Sequence, residues 1–245
     1  EGESPNYYGG GMYLYNSDPV LINVTISSNA ATTGGGMYLS FSNSTLKHVT
    51  ISNNTADSYG GGVDLHTSNC TLKHVNISSN TANWGGGIHY ASNSNASLAH
   101  VTIAYNQALQ GGGMRIIGSD PILTNVTITY NTASEGGGMR LFYSFPILTN
   151  VTIANNIAEY FGGGMWVDFS NPILNYVTIV NNTAEYYGGG MRLSNSNPIL
   201  INVTIANNTA YNGGGGIYLN SSDPNLTNSI IWSNSPESIY IGSGI

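Results

Sequence analysis

Apolar and polar residues alternate in short runs throughout the chain. Residues 11–15 read Gly-Met-Tyr-Leu-Tyr and residues 125–128 read Asn-Val-Thr-Ile, so successive side chains alternate between two faces. A period of two, in runs bounded by Gly, Pro, Asn and Ser, is typical of short strands separated by turns. No stretch has the length or the pattern of a helix. We therefore predict an all-β chain.

Two motifs recur at the same spacing of 25 or 26 residues. The first is a glycine triplet followed by Met, Val or Ile, and the second is an Ile, two further residues and then an Asn. The triplets begin at Gly9, Gly34, Gly60, Gly85, Gly111, Gly136, Gly162, Gly188 and Gly214. The second motif is formed by Ile26/Asn29, Ile51/Asn54, Ile77/Asn80, Ile103/Asn106, Ile128/Asn131, Ile153/Asn156, Ile179/Asn182, Ile205/Asn208 and Ile231/Asn234.

This spacing predicts how the strands assemble. A unit of about 25 residues made only of short strands buries its apolar residues only when it stacks on its neighbours. We predict one domain over residues 1–245, a right-handed parallel β-helix of about nine coils, rising about 4.8 Å per coil. The apolar residue after each triplet, the Leu columns from Leu14 and from Leu21 to Leu226, the Val column from Val24 and the Ile column should point inward. The Asn column should lie at an inward bend, bonded to the turn backbone and to the coils above and below.

Composition narrows the class of protein. Only 7% of the residues are charged, against about 25% in ordinary domains, and Asn, Ser, Thr and Gly dominate the polar positions. A surface of this kind is typical of secreted repetitive β proteins, so we expect a secreted or cell-surface location. The net charge of −7 argues against nucleic acid and against an anionic membrane surface. Cys70 is the single cysteine, and no apolar run is long enough for membrane insertion.

The paired motifs resemble the repeats of the chlamydial polymorphic outer membrane proteins. They also resemble bacterial and archaeal surface proteins with pectate-lyase-like β-helices. In that family the motifs are Gly-Gly-Ala-Ile-like and Phe-x-x-Asn, whereas here they read Gly-Gly-Gly-Met/Val/Ile and Ile-x-x-Asn. The resemblance covers essentially the whole chain, and it implies a right-handed β-helix, surface exposure and often adhesion. Ile replaces the family's Phe, and no autotransporter barrel is found in these residues.

One outward column, two residues after each triplet, is the least repetitive part of the chain and carries every arginine. Acid, imidazole and guanidinium beside aromatic rings are suited to binding an acidic polysaccharide, or to cutting one. The simpler interpretation is a solvated strand face with ordinary cross-strand pairs. With His66 from the adjacent outward column, the candidate carbohydrate-binding residues are Tyr13, Tyr38, Asp64, His66, His89, Arg115, Arg140, Trp166 and Arg192.

A second outward column consists mainly of threonine. Evenly spaced hydroxyl and methyl groups can order water, so ice binding is an alternative, although threonine also suits any exposed strand position. Beside this column lie His48, His74 and His100, which could bind a metal weakly but fit repeat drift better, and we predict no metal or cofactor. The candidate ice-binding residues are Thr25, Thr50, Thr102, Thr127, Thr152, Thr178 and Thr204.

Asn-x-Ser/Thr sequons are frequent, and in a eukaryotic or archaeal host many of them could carry glycans. The alternative is that Asn-Val-Thr is simply the repeat consensus. The sequons begin at Asn23, Asn43, Asn53, Asn69, Asn76, Asn95, Asn125, Asn150, Asn181, Asn202, Asn207, Asn220 and Asn225.

No sequence feature demands chemistry, so we predict a structural or adhesive module rather than an enzyme, with a polysaccharide-active enzyme and an ice-binding protein as alternatives. The amino end, residues 1–6, and the carboxyl end, residues 239–245, show no polar or helical cap. An uncapped solenoid end exposes a sheet edge. We therefore expect end-to-end self-association into a fibre or sheath, or continuation into a longer surface protein, and possibly glycan partners.

Overall fold

A computed structural model describes residues 7–242, which form a solenoid of four parallel sheets, as predicted from the repeat. The first sheet, which follows the glycine triplets, contains Met12–Tyr15, Met37–Ser40, Val63–His66, Ile88–Ala91, Met114–Ile117, Met139–Phe142, Met165–Asp168, Met191–Ser194, Ile217–Asn220 and Ile239–Ile241. The second contains Val20–Ile22, Thr45–Lys47, Thr71–Lys73, Ser97–Ala99, Ile122–Thr124, Ile147–Thr149, Ile173–Asn175, Ile199–Ile201 and Asn225–Thr227.

The third sheet carries the threonine column, and the fourth is shorter and divided into two parts. The third contains Thr25–Ser27, Thr50–Ser52, Asn76–Ser78, Thr102–Ala104, Thr127–Thr129, Thr152–Ala154, Thr178–Val180, Thr204–Ala206 and Ile230–Trp232. The fourth contains Ala30–Thr33 and Thr55–Tyr59, then Gln107–Gln110, Thr132–Glu135, Ile157–Phe161, Thr183–Ala184 and Thr209–Ala210. Over residues 7–242 there is no helix, and hence no helical segment able to cross a membrane.

Each strand pairs in parallel with its counterpart in the next coil, so equivalent residues stack along the axis. Met139 pairs with Met165, and Leu148 pairs with Leu174. The predicted inward columns form one continuous apolar core, in which residues such as Val151 and Ile153 are almost completely buried. Leu226 continues the inward column in register with Leu200, but it is 37% exposed because no further described strand of the second sheet covers it.

The inward asparagines form a buried ladder, as expected. Asn131 Nδ2 donates to Asn156 Oδ1 of the next coil at 3.0 Å and to the Ile103 carbonyl at 3.0 Å, while its backbone N–H also donates to Asn156 Oδ1. A second ladder, which sequence reasoning missed, is formed by buried serines: the Ser144 backbone N–H donates to Ser170 Oγ at 3.0 Å. Both ladders satisfy turn backbone inside a dry core, where an unpaired polar group would be costly.

The glycine triplets make the corner before the first sheet. Gly136 has a φ of +66°, a left-handed conformation that side chains other than glycine rarely adopt. A Cβ on Gly137 would overlap the carbonyl oxygen of Ile157 in the neighbouring coil. The corner therefore turns sharply and lets the coils approach closely. Residues 1–6 and 243–245, on which the end-to-end expectation partly rests, lie outside the described residues.

Candidate functional site

Side chains on the outer face of the first sheet are flanked by a row of side chains from beyond the glycine corner. The residue before each triplet stacks on its counterpart one coil away, as Tyr59 does on Trp84, and it flanks the outward column across the glycine corner. We call this surface, made of the outward column and the residues before the triplets, the aromatic face. Several of its charged residues are buried: Asp64 is 0% exposed, His89 2% and Arg140 7%. The expectation of a solvated column is wrong at these three positions, because neighbouring side chains cover them.

The structure brings four of the predicted residues together in what we call the histidine cluster: Asp64, His66, His89 and Arg115. Asp64 and His66 lie on one strand, and register pairs Asp64 with His89 and His89 with Arg115 in the next two coils. Asp64 Oδ1 lies 2.7 Å from His89 Nδ1, and Asp64 Oδ2 lies 3.0 Å from His66 Nε2. Arg115 Nη1 lies 3.2 Å from His89 Nε2. A buried carboxylate therefore joins two imidazoles, and a guanidinium closes the chain.

Hydrogen bonding defines the proton positions. A guanidinium only donates, so His89 Nε2 accepts from Arg115, and His89 Nδ1–H donates to Asp64. Burial would raise the pKa of Asp64, but hydrogen bonds from His66 and His89 hold it below its ordinary value. The hydrogen bond to Asp64 raises the pKa of His66, whereas burial lowers the pKa of His89. The cluster therefore favours an ionised Asp64 between a cationic His66 and a neutral His89.

The network continues along the face beyond the histidine cluster. Arg115 Nε donates to Gln110 Oε1 at 3.1 Å, and Gln110 Nε2 donates to Glu135 Oε2 at 2.7 Å. A shallow pocket of about 190 Å³ opens here, lined by Gln110, Arg115, Arg140 and Phe142. Gln110 and Glu135 occupy positions directly before glycine triplets, which sequence reasoning did not select.

Further along the same face lies an arginine cluster, made of Arg140, Phe161, Trp166, Asp168 and Arg192. The guanidinium of Arg140 stands 3.7 Å from the centre of the Trp166 ring, and that of Arg192 stands 3.9 Å from the Phe161 ring and 5.0 Å from Trp166. Arg140 Nη2 also pairs with Asp168 Oδ2 at 3.2 Å. Among residues 7–242 Arg192 makes no ion pair.

Three N–H donors in this cluster are buried without a partner within residues 7–242: Nε of Arg140, Nε of Arg192 and Nε1 of Trp166. A buried donor without an acceptor costs about 1–3 kcal/mol. Three such donors on successive coils leave this part of the face with more donors than acceptors. The arrangement suits an anionic ligand.

The remaining candidates of this face lie near its first coils. Tyr13 and Tyr38 stack with ring centres 5.5 Å apart, and Tyr8 joins them at 4.8 Å from Tyr38. Tyr38 also reaches His66, with ring centres 5.3 Å apart. Sequence reasoning missed Tyr59, Trp84 and Phe161, although an aromatic residue directly before a glycine triplet was a visible signal.

The threonine column lies where it was predicted, on the outer face of the third sheet. Thr102, Thr127, Thr152, Thr178 and Thr204 stack in continuous register, and all of them are exposed or half-buried. In the first coils Thr25 pairs with Thr50. Asn76 separates that pair from the later threonines.

The histidine column beside these threonines is a regular stack. His48 and His74 lie with ring centres 5.0 Å apart, and His74 and His100 are 4.9 Å apart. All three are exposed and have positive φ at the corner between the second and third sheets.

Every predicted glycosylation sequon lies at an exposed or half-buried asparagine, and none coincides with the buried ladder. In the ladder motif the second residue after Asn is Ala, as at Asn131, or Pro, as at Asn234, so the motif lacks the hydroxyl residue that a sequon needs at its third position. The sequons are therefore sterically open to modification, and glycosylation stays a prediction.

Comparison with known proteins bears on the fold. A family model described as a right-handed β-helix region matches residues 4–107 and residues 86–244, which together span almost the whole chain. No curated protein matches the chain. The family match supports the right-handed coil, and it does not separate surface proteins from polysaccharide-active proteins that share this fold.

Proposed function

Because the chain belongs to the right-handed β-helix family, we propose that it is an extracellular or cell-surface adhesive β-solenoid that binds an acidic polysaccharide along its aromatic face. The observation that carries the proposal is the Arg140–Trp166–Arg192 stack. Guanidinium groups pair with carboxylates or sulfates. The accessible guanidinium of this stack is Arg192, because Arg140 is 7% exposed and pairs with Asp168. The repeat motifs resemble those of surface adhesins, and we include an adhesive role in the same proposal.

The electrostatics favour an anionic rather than a neutral sugar. Arg192 is half-buried between aromatic rings and pairs with no acid among the described residues. A neutral ligand would leave this charge uncompensated, whereas a carboxylate would supply the missing partner. The net charge of the whole protein is −7. A polyanion is therefore attracted to this local surface and not to the molecule in general.

We favour binding over catalysis. Asp64 is held by two imidazoles, Glu135 accepts from Gln110, and Asp168 beside the aromatic face pairs with Arg140. Each of these described carboxylates is already engaged, so none is free for acid–base work. A secreted or cell-surface location fits the low charge content and the accessible sequons.

End-to-end association or continuation into a longer surface protein remains part of the proposal, and sedimentation of the chain over a range of concentrations tests it.

The binding test uses a matched pair of charge-removing variants. Titration calorimetry with polygalacturonate should show binding that weakens about tenfold or more in Arg192→Gln, because one buried charge-assisted contact is worth roughly 1.5–3 kcal/mol. Lys73→Gln removes the same charge from the exposed second sheet and should bind like the unaltered protein. Equal losses in the two variants would mean nonspecific charge attraction, and undiminished binding in Arg192→Gln would refute the placement.

A further inference from the structure

The histidine cluster has a donor set that the proposed contact of polysaccharide with the Arg140–Trp166–Arg192 stack does not use. Asp64 contributes a fully buried carboxylate, and His66 and His89 contribute one ring nitrogen each. These ligand atoms all lie within 4.8 Å of one another. Two imidazoles and one carboxylate form a set that suits Zn²⁺ and other divalent transition metals, whereas Ca²⁺ and Mg²⁺ prefer oxygen ligands.

The distances are close to those of a coordinated ion. Metal bonds of about 2.0–2.1 Å place neighbouring ligand atoms roughly 3 Å apart. The Asp64–His89 and Asp64–His66 contacts measure 2.7 and 3.0 Å and use different carboxylate oxygens, so Asp64 can meet the ion through both oxygens, or through one after a small rotation. The side chain of His66 is 31% exposed, so one side of the cluster opens to solvent. Water or a ligand group can complete the coordination there.

Arg115 is the element that opposes a metal. In the metal-free arrangement its N–H donates to His89 Nε2, which keeps the ring proton on Nδ1, the atom that faces Asp64. Binding of an ion at Nδ1 moves that proton to Nε2, where it meets the Arg115 donor. The guanidinium then has to turn away toward the open pocket that it lines with Gln110 and Arg140.

We propose that Asp64, His66 and His89 form a binding site for a divalent transition-metal ion, with Arg115 as a side chain that moves aside when the ion binds. The ion replaces the two N–H groups that now hold the carboxylate: His66 releases its Nε2 proton to solvent, and the His89 proton moves from Nδ1 to Nε2. This site shares no residue with the Arg140–Trp166–Arg192 stack. Metal binding can therefore be tested separately from polysaccharide binding.

The exposed histidine column provides the natural rival site and therefore the control. Its rings are nearly parallel, with centres 5.0 and 4.9 Å apart. One ion with bonds of about 2.1 Å spans at most about 4.2 Å between two nitrogens. The stacked rings would have to turn toward each other to share an ion, whereas the ligand atoms of the histidine cluster lie within 4.8 Å of one another and need only a small contraction.

The test is titration of the chelator-treated full chain with Zn²⁺, followed by Co²⁺, whose visible absorption reports tetrahedral coordination. The unaltered protein and the variant His48→Asn/His74→Asn/His100→Asn should both bind one ion per chain. Asp64→Asn and His66→Asn should each lose at least about tenfold in affinity. His66→Asn changes a half-exposed residue, so it remains informative if Asp64→Asn fails to fold.

Arg115→Gln supplies the outcome that a merely structural cluster would not produce. The Gln carbonyl can accept the proton from His89 Nε2, a common supporting arrangement for metal-bound histidine, so affinity should rise about tenfold. Binding that disappears in the triple variant but survives in Asp64→Asn and His66→Asn would overturn the site, as would absence of binding at millimolar Zn²⁺. Unchanged affinity in Arg115→Gln would overturn the role of Arg115.

Discussion

The outer faces of the first and third sheets are built on the same coil repeat but differ in almost every property. The third presents a nearly uniform column of small, accessible threonines in register. The first changes residue at almost every coil and buries a carboxylate, an imidazole and a guanidinium under aromatic rings. A solenoid needs only the plain kind of face, and buried charge is costly unless it is paired. A plain face is sufficient for folding, so the charged residues of the aromatic face are the ones to which we assign the proposed recognition.

The strands of both sheets have one side in the dry core and one outer side. Substitutions at the third sheet give the strongest test of this assignment. Val151 is 1% exposed and its neighbour Thr152 lies on the outer face. Val151→Asp should cost about 4 kcal/mol or more, because it places an unpaired carboxylate in the core. Thr152→Asp should cost less than about 1 kcal/mol. Urea denaturation of both variants measures the difference, and equal losses would contradict the inward and outward assignment.

A second test asks whether the buried acid on the aromatic face is held by its partners. Asp64→Ala leaves His66 and His89 without their shared acceptor and should lower the free energy of unfolding by about 3 kcal/mol. Asp57 is an exposed acid in the same coil, and Asp57→Ala should change it by less than about 0.5 kcal/mol. A similar small change in both variants, measured by chemical denaturation, would mean that His66 and His89 add nothing to the stability of the buried Asp64.

Dependence on pH sharpens the same contrast. The pKa of His66 is raised by Asp64, so its contribution is complete below the unfolded pKa of about 6.5 and is lost as pH rises through the higher folded value. The lowered pKa of Asp64 acts in the acid range, where its contribution disappears as pH falls below about 3.9. Burial lowers the pKa of His89. This histidine therefore lowers the free energy of unfolding as the pH falls below about 6.5, where the unfolded chain takes up the proton more readily.

We therefore expect the free energy of unfolding to fall by less than about 1 kcal/mol as pH rises above neutrality. His66→Asn should remove this slope. Unfolding curves at several pH values for both proteins test it. A stability of the unaltered protein that increases over this range would show that the Asp64–His66 pair has the opposite sign.

Much of the solenoid was predictable because its signals are local and repeated. The burial of Val151 follows from alternation within one strand, and the inward Asn131 follows from its fixed distance to Ile128. The burial of Asp64 was not predictable from alternation, because it depends on partners from other coils and on rings beyond the glycine corner. Register placed Asp64 beside His89, yet the bond from Arg115 depends on side-chain conformation, which spacing does not specify.

The smallest expected effect concerns the threonine face itself. Ice binding requires a broad flat array, but this column is bordered by projecting side chains, with Tyr105 and Tyr130 stacked 5.1 Å apart and well exposed on one side. The histidine stack of His48, His74 and His100 borders its first coils on the other side. We therefore expect no thermal hysteresis in the unaltered protein and none in Thr152→Lys. Hysteresis that is present in the unaltered protein and abolished by Thr152→Lys would reverse the comparison, because the regular face would then be the one that recognises a ligand.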